Sequence, residues 1–282
     1  MRTLEYWFAR FVLFSVAMCP PFARAYVKVL DIAIPRLRRA AVRNLEIANL
    51  PDQGVIAGMY RSIARMLVTF AKFPSLSRDN VSNVIRYDGI ENFKSASARG
   101  RGVLVATAHL GNWELSAFAH ALMTGPMHIV VRPLDNPRVD ALVEQRRALS
   151  GNRIISKRDG ARDILRALKS GDAVGILIDQ NTTLEEGVFV DFFGTPACAG
   201  TAFVKLAHHS GAAVIPGYAL WSEKERRYVL RFAPEIPMTG DVYADTQAIH
   251  AHLESVIREH PDQYLWMHRR WKTRPRGAPP LY

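Results

Sequence analysis

Residues 103–114 read VLVATAHLGNWE, a run of apolar and β-branched residues that leads into a histidine, a Gly-Asn pair and a carboxylate. The apolar run predicts a buried strand over Val103–Ala106. Gly111 permits a tight turn, and a helical pattern follows over Trp113–Met123. A strand that turns directly into a helix is typical of α/β sheets, whose ligands bind at the carboxyl ends of the strands.

The same alternation of short β-branched runs and helical patterns continues along the chain. Predicted strands cover Val103–Ala106, Ile129–Val131, Arg153–Ser156, Ala173–Ile178, Val214–Tyr218 and Tyr228–Phe232. Predicted helices cover Trp113–Met123, Pro137–Leu149, Ala161–Lys169, Ala202–His209 and Asp245–Glu259. This alternation predicts an α/β fold with a mixed, largely parallel sheet flanked by helices.

The N-terminal quarter of the chain has a purely helical character. Prolines divide it into predicted helices over residues 4–18, 22–34, 36–49 and 52–71. We therefore expect an N-terminal helical, membrane-associating region (1–75) and an α/β domain (80–275). An extended tail (276–282), rich in proline, follows them.

Positive charge is concentrated at the two ends of the chain. The formal net charge is +11, of which residues 1–50 contribute +5 and residues 265–282 another +5. Nucleic acid and anionic lipid both attract such ends. No recognised nucleic-acid-binding motif is present, and aromatic residues beside the basic ones suit a membrane interface.

The apolar N-terminal stretch is too short to span a bilayer. Its longest uncharged run, Phe11–Ala23, contains a proline pair, whereas a spanning helix needs about 20 apolar residues. It also lacks the order of a signal peptide. The favoured interpretation is an amphipathic helix that lies in the membrane plane, and the alternative is a helix docked on the core.

His109 and Glu114 are the candidate catalytic residues. A carboxylate that bonds one imidazole nitrogen fixes the tautomer, and the other nitrogen can then take a proton from a hydroxyl. The spacing fits equally well a structural histidine at a strand end that only forms a hydrogen bond with a nearby carboxylate. The sequence contains no GxSxG elbow, no glycine-rich phosphate loop and no metal-ligand spacing.

Six segments, taken together and in order, resemble the bacterial lipid A biosynthesis lauroyl and myristoyl acyltransferases. The related phosphatidylinositol-mannoside and glycerolipid acyltransferases share part of this pattern. The segments are HLGNWE (109–114), VRPLDNP (131–137), GILIDQ (175–180), GVFVDFFG (187–194), SGAAVIP (210–216) and YLWMHRRWKTRP (264–275). Each segment alone is weak, but the ordered set is specific.

The resemblance implies transfer of a fatty acyl chain from acyl carrier protein or coenzyme A to a hydroxyl of a membrane glycolipid such as a lipid A precursor. His109 would be the general base and Glu114 its orienting partner. The implied substrate-binding residues are Arg132, Arg158, Asp179 and Gln180. Backbone N–H groups near Gly111–Trp113 are candidates for stabilising an oxyanion.

The resemblance also implies a peripheral or monotopic position on the cytoplasmic face of the bacterial inner membrane. It implies no cofactor besides the acyl donor, no metal ion and no nucleic-acid partner. The chain is short for this family, its spanning segment is weak, and Gln180 stands where the enteric enzymes often have another residue. The acceptor lipid and the acyl length are therefore open.

Two other classes of protein compete with this hypothesis. A lipid or glycolipid hydrolase would use the same His–Glu pair on water and would release free fatty acid without an acceptor. A non-catalytic membrane-binding or nucleic-acid-binding protein would show affinity alone, and for DNA that affinity would depend steeply on salt.

Overall fold

The computed structural model describes residues 2–157 and 160–282, so Arg158 lies outside the described residues. Its α-helices are α1 Arg2–Met18, α2 Phe22–Ala33, α3 Pro35–Ile47, α4 Val55–Ala71, α5 Ile90–Ser97, α6 Trp113–Met123, α7 Pro137–Ala148, α8 Ala161–Lys169, α9 Ala202–Ser210 and α10 Val242–Glu259. Its strands are β1 Ile85–Asp88, β2 Val103–Thr107, β3 His128–Val131, β4 Arg153–Ser156, β5 Ala173–Leu177, β6 Gly187–Phe192, β7 Thr195–Gly200, β8 Ala213–Ser222 and β9 Arg227–Phe232.

A seven-stranded sheet organises the fold, with the strand order β1-β9-β8-β2-β5-β3-β4. Strands β8, β2, β5, β3 and β4 run parallel to one another. Strand β9 pairs antiparallel with β8, and β1 pairs parallel with β9. The predicted mixed, largely parallel sheet with flanking helices is therefore confirmed.

The hairpin β6–β7 lies outside this sheet and was missed by the sequence analysis, as were β1 and α5. Its two-residue turn consists of Phe193 and Gly194, which both have positive φ, 57° and 74°. Hairpin turns of this kind usually carry Asn, Asp or Gly at both positions, so a phenylalanine there hides the signal.

Helices α1 and α2 dock on the core, as in the alternative interpretation, and they also expose an apolar surface. That this surface lies in a membrane stays a prediction. Leu13, Val16, Ala23 and Val27 are buried in the core on one side. The other side exposes a row of large apolar residues, which we call the apolar face: Leu4, Trp7, Phe8, Phe11, Phe14, Met18, Phe22, Val29 and Ile32. Among the described residues, no helix combines the length and apolar character that crossing a membrane requires.

The hydrophobic core is continuous between the N-terminal helices and the sheet. One cluster includes Val16 of α1, Met59 of α4, Leu115 of α6 and Trp266 near the C-terminus. The boundary between the N-terminal helical region and the α/β domain, near residue 75, stays a prediction. Residues on both sides of it pack in the same core cluster. Residues 264–282 lie against the body of the protein, where the Arg43 guanidinium donates to the Leu281 carbonyl at 2.7 Å.

Candidate functional site

His109 and Asp179 meet at the carboxyl edge of the sheet. Strands β2 and β5 are parallel neighbours, and their last residues, Thr107 and Leu177, lie opposite each other. His109 and Asp179 each come two positions after the end of their strand. The Ile178 amide donates to the Thr107 carbonyl at 3.0 Å and prolongs the ladder. The His109 Nδ1 atom lies 3.0 Å from Asp179 Oδ1 and 3.3 Å from Oδ2. We call this pair the His–Asp dyad.

The dyad is an electrostatically coupled pair. Burial alone would lower the pKa of His109, but the charge and hydrogen bond of Asp179, with a contribution from Glu114, raise it above its usual value. Burial likewise opposes ionisation of Asp179, which is 2% exposed, yet its interaction with His109 lowers the carboxyl pKa. Nδ1–H therefore donates to an ionised carboxylate, which leaves Nε2 as the proton-accepting nitrogen.

The turn after His109 is fixed by strand β8 and the C-terminal segment. Gly111 has a φ of 64°, and a Cβ atom there would lie 2.1 Å from the Ala219 carbonyl oxygen, so glycine is required. The Gly111 amide donates to Gln263 O at 2.9 Å, and the Asn112 amide donates to Ala219 O at 2.8 Å. The Gly111 and Asn112 N–H groups are thus engaged within the fold. Stabilisation of an oxyanion by the backbone N–H groups near Gly111–Trp113 stays a prediction.

Glu114 does not occupy the expected position beside His109. Both of its carboxylate oxygens accept from Arg147 of α7, from Nε at 2.9 Å and from Nη2 at 2.6 Å. Only 15% of the Glu114 side chain and 18% of the Arg147 side chain are exposed. The expected hydrogen bond from His109 to Glu114 is therefore corrected to Asp179, because a guanidinium fork already engages both Glu114 oxygens. A catalytic role of Glu114 stays a prediction.

Two of the other predicted substrate-binding residues, Arg132 and Gln180, lie at the same edge or close to it. Arg132 directly follows β3, which is the neighbour of β5, and its side chain is exposed. Gln180 is exposed beside the buried Asp179. Contact of either residue with substrate stays a prediction, and so does that of Arg158, whose surroundings lie outside the described residues.

The sequence analysis associated the aromatic residues of the basic C-terminal end with a membrane interface, but Trp266 and Trp271 are buried in the core, which corrects that expectation. The structure instead brings residues 264–275 to the dyad. The Leu265 amide donates to the His109 carbonyl at 2.9 Å. His268 Nε2 accepts from the Asn181 amide at 3.0 Å and so fixes the loop that carries Asp179. Because the segment is 155 or more residues from His109, only the tertiary structure reveals this contact.

Two buried side chains of this segment respond to the Asp179 charge. Burial and the Asp179 charge together raise the pKa of Tyr264 well above its usual range. Burial lowers the pKa of Arg270, and the Tyr264 and Asp179 charges act against that change. Arg270 Nη1 donates to the Cys198 carbonyl at 2.6 Å, and its guanidinium lies 5.2 Å from the Phe192 ring centre. This segment therefore supplies a buried positive charge that acts on Asp179.

The ring of Trp113 forms one wall of the site. Its centre lies 5.0 Å from that of His109, in an edge-to-face arrangement that restricts the orientation of the imidazole. Within residues 2–157 and 160–282, no group of three or more His, Cys, Asp or Glu side chains could hold a metal ion. The chemistry that these residues can perform is proton transfer at His109, whose side chain is 17% exposed.

Comparison with known proteins gives consistent matches. The model of the bacterial lipid A biosynthesis acyltransferase family matches residues 1–273. The lipid A biosynthesis palmitoleoyltransferase of Escherichia coli (strain K12) is 30% identical, over 98% of this chain and 94% of its own length. The lauroyltransferase of the same organism is 32% identical over 69% of this chain and 64% of its own. A lipid A biosynthesis acyltransferase of Haemophilus influenzae is 26% identical over 79% and 70%.

The substitution Asp179→Asn should lower the pKa of His109, because it removes the charge that opposes the effect of burial. Nuclear magnetic resonance of the imidazole nitrogens measures this directly across a pH titration. Asp172→Asn is the matched control, since it alters a carboxylate 3.0 Å from His128 instead and should leave the His109 titration unchanged. An unchanged His109 pKa in Asp179→Asn would contradict the coupling.

Proposed function

The chain belongs to the bacterial lipid A biosynthesis acyltransferase family, and on that premise we propose that it transfers a fatty acyl chain from an acyl carrier protein or coenzyme A thioester to a hydroxyl of a lipid A precursor. The observation that carries the proposal is the hydrogen bond between His109 Nδ1 and Asp179, 3.0 Å long, in a partly open site. This geometry supports a general base that activates a hydroxyl.

In the proposed mechanism, Asp179 accepts the Nδ1–H bond and holds one tautomer of His109. His109 Nε2 removes the proton of the acceptor hydroxyl, and the oxygen attacks the thioester carbonyl carbon. The tetrahedral intermediate then expels the thiolate, which receives the proton from the imidazolium. Asp179 stabilises that imidazolium by its charge, and general-base assistance of this kind contributes about 10²–10⁴ in rate.

We propose that Glu114 is a positioning residue in this site. Its ion pair with Arg147 joins the first turn of α6 to α7. The first turn of α6 follows the Gly111 turn, so the ion pair helps to hold His109 in place. The Glu114 charge also favours the protonated form of His109, which supports a smaller electrostatic contribution.

Arg132, Gln180 and Arg158 are proposed contacts for the polar parts of the substrates. Arg132 is an exposed cation one strand away from Asp179, which suits an anionic group. The apolar face of α1 and α2 is proposed to lie on the membrane, where the acceptor lipid resides. Such a placement supports a peripheral enzyme, and the proposed side is the cytoplasmic face of the inner membrane.

His109→Ala should abolish transfer of a labelled acyl chain to a lipid A precursor in detergent micelles, with the circular dichroism spectrum unchanged. His128→Ala removes another histidine that bonds a carboxylate, at the amino end of β3 and so at the opposite edge of the sheet, and should keep activity. Chromatography separates acylated lipid from free fatty acid. Free fatty acid as the main wild-type product would favour the hydrolase, and retained transfer by His109→Ala would refute the assignment of the base.

The double substitution Phe8→Ser with Phe11→Ser should weaken binding to phosphatidylethanolamine–phosphatidylglycerol vesicles. These side chains are 63% and 59% exposed, and a buried phenylalanine contributes about 1.5–3 kcal/mol to transfer out of water. A loss of about tenfold or more in partitioning, measured by vesicle sedimentation, is expected. Tyr243→Ser, which changes an exposed aromatic on α10, is the control, and equal partitioning of both variants would contradict the membrane-facing role.

A further inference from the structure

The two basic ends of the chain meet on one surface beside the dyad. Asn44 of α3, which is 1% exposed, donates through Nδ2 to the carbonyls of Trp266 and His268, at 2.6 Å each. These bonds hold the C-terminal segment against α3. A buried carbonyl that lost its hydrogen-bond donor would cost free energy, so the Asn44 amide stabilises the docked position of the segment. Charges that lie more than 200 residues apart in sequence therefore share one face of the protein.

A pocket of about 390 Å³ opens between these two elements. Its lining residues are Arg36, Leu37, Ala40, Met267, His268, Arg269 and Lys272. They supply three permanent positive charges and no negative one. The guanidinium and ammonium groups belong to exposed residues at the rim, whereas Ala40 is buried. Such a site attracts a small, multiply charged anion rather than a neutral sugar or an acyl chain.

His268 connects this pocket to the catalytic site. Its Nε2 atom accepts the Asn181 amide hydrogen, so the ring proton resides on Nδ1, where it can be donated to a ligand oxygen. Asn181 follows Asp179 by two residues, and its Nδ2 donates to Thr273 Oγ1 at 2.9 Å. An anion bound in the pocket would thus be held by the same segment that fixes the dyad.

We propose that this pocket binds a phosphate monoester of a substrate, carried either by the headgroup of the acceptor lipid or by the 3′-phosphate of a coenzyme A donor. Arg36 and Arg269 provide planar forks for phosphate oxygens, and Lys272 provides a point charge. Leu37 and Met267 supply apolar walls for the carbon atoms next to the phosphate. Only the identity of the substrate rests on the proposed function, since phosphate binding itself requires no turnover.

The direct test measures binding to the full chain carrying His109→Ala, which prevents turnover. The probes are lysophosphatidic acid and the monoacylglycerol of equal chain length in detergent micelles, followed by microscale thermophoresis. We expect lysophosphatidic acid to bind about tenfold more tightly, a difference of about 1.4 kcal/mol. Added Arg269→Ala and Lys272→Ala substitutions should abolish the preference.

Lys94→Ala with Arg101→Ala is the matched control, because it removes the same charge from two exposed residues outside the pocket lining. This control should keep the preference for lysophosphatidic acid. Equal binding of the two probes by the parent protein would overturn the proposal. An equal loss of the preference for lysophosphatidic acid in the pocket variant and the control would also overturn it, because the loss would then depend only on net charge.

Steady-state kinetics identify the source of the phosphate. They compare the pocket variant (Arg269→Ala with Lys272→Ala) and the control variant (Lys94→Ala with Arg101→Ala), both with His109 intact. A rise in KM for the lipid acceptor that disappears after phosphatase treatment of that lipid assigns the pocket to the headgroup. A rise in KM for acyl-coenzyme A but not for its 3′-dephospho form assigns it to the donor. A loss of activity confined to acyl carrier protein as the donor would show docking of an acidic protein and overturn the proposal.

The binding test also separates this proposal from the proposed function. If the protein prefers lysophosphatidic acid over the monoacylglycerol but transfers no acyl chain, the proposed function is refuted and the pocket is supported.

Discussion

The hydrogen bond between His109 and Asp179 is the interaction on which the site depends. Asp179 is almost fully buried, and an uncompensated buried charge costs about 3–5 kcal/mol when its partner is removed. The parallel pairing of β2 with β5 places the two side chains at equal height beyond the ends of their strands. The sheet therefore brings together a histidine and its carboxylate partner from residues 70 positions apart.

The C-terminal segment completes this arrangement from the other side. Its backbone bonds His109, and Gln263 just before it bonds Gly111. Its His268 fixes the Asp179 loop, and its Arg270 places a buried cation near the same carboxylate. Asn44 of α3 anchors the segment in turn. Helix α3 adjoins α2, which shares the apolar face with α1, so one connected structure reaches from that face to the proposed base.

The sequence predicted the strands of the central sheet except β1, because β-branched runs and helical periodicity are local signals. It also named His109 as the candidate base and Asp179 as a substrate-binding residue, two side chains that the structure brings into contact. It assigned the carboxylate partner to Glu114, because spacing along a chain reports neighbours within one element and not pairing between strands. Knowledge that β2 adjoins β5 would have favoured Asp179. The Glu114–Arg147 ion pair and the role of residues 264–275 depend on tertiary contacts that no local pattern encodes.

The central claim is that His109 and Asp179 act as one catalytic unit. A double-mutant cycle of kcat/KM for acyl transfer, with His109→Ala, Asp179→Asn and both together, measures their coupling. If the account is right, Asp179→Asn lowers kcat/KM severely in the parent chain, and adding it to His109→Ala has no further effect. Losses that multiply, or full activity of Asp179→Asn, would contradict the account.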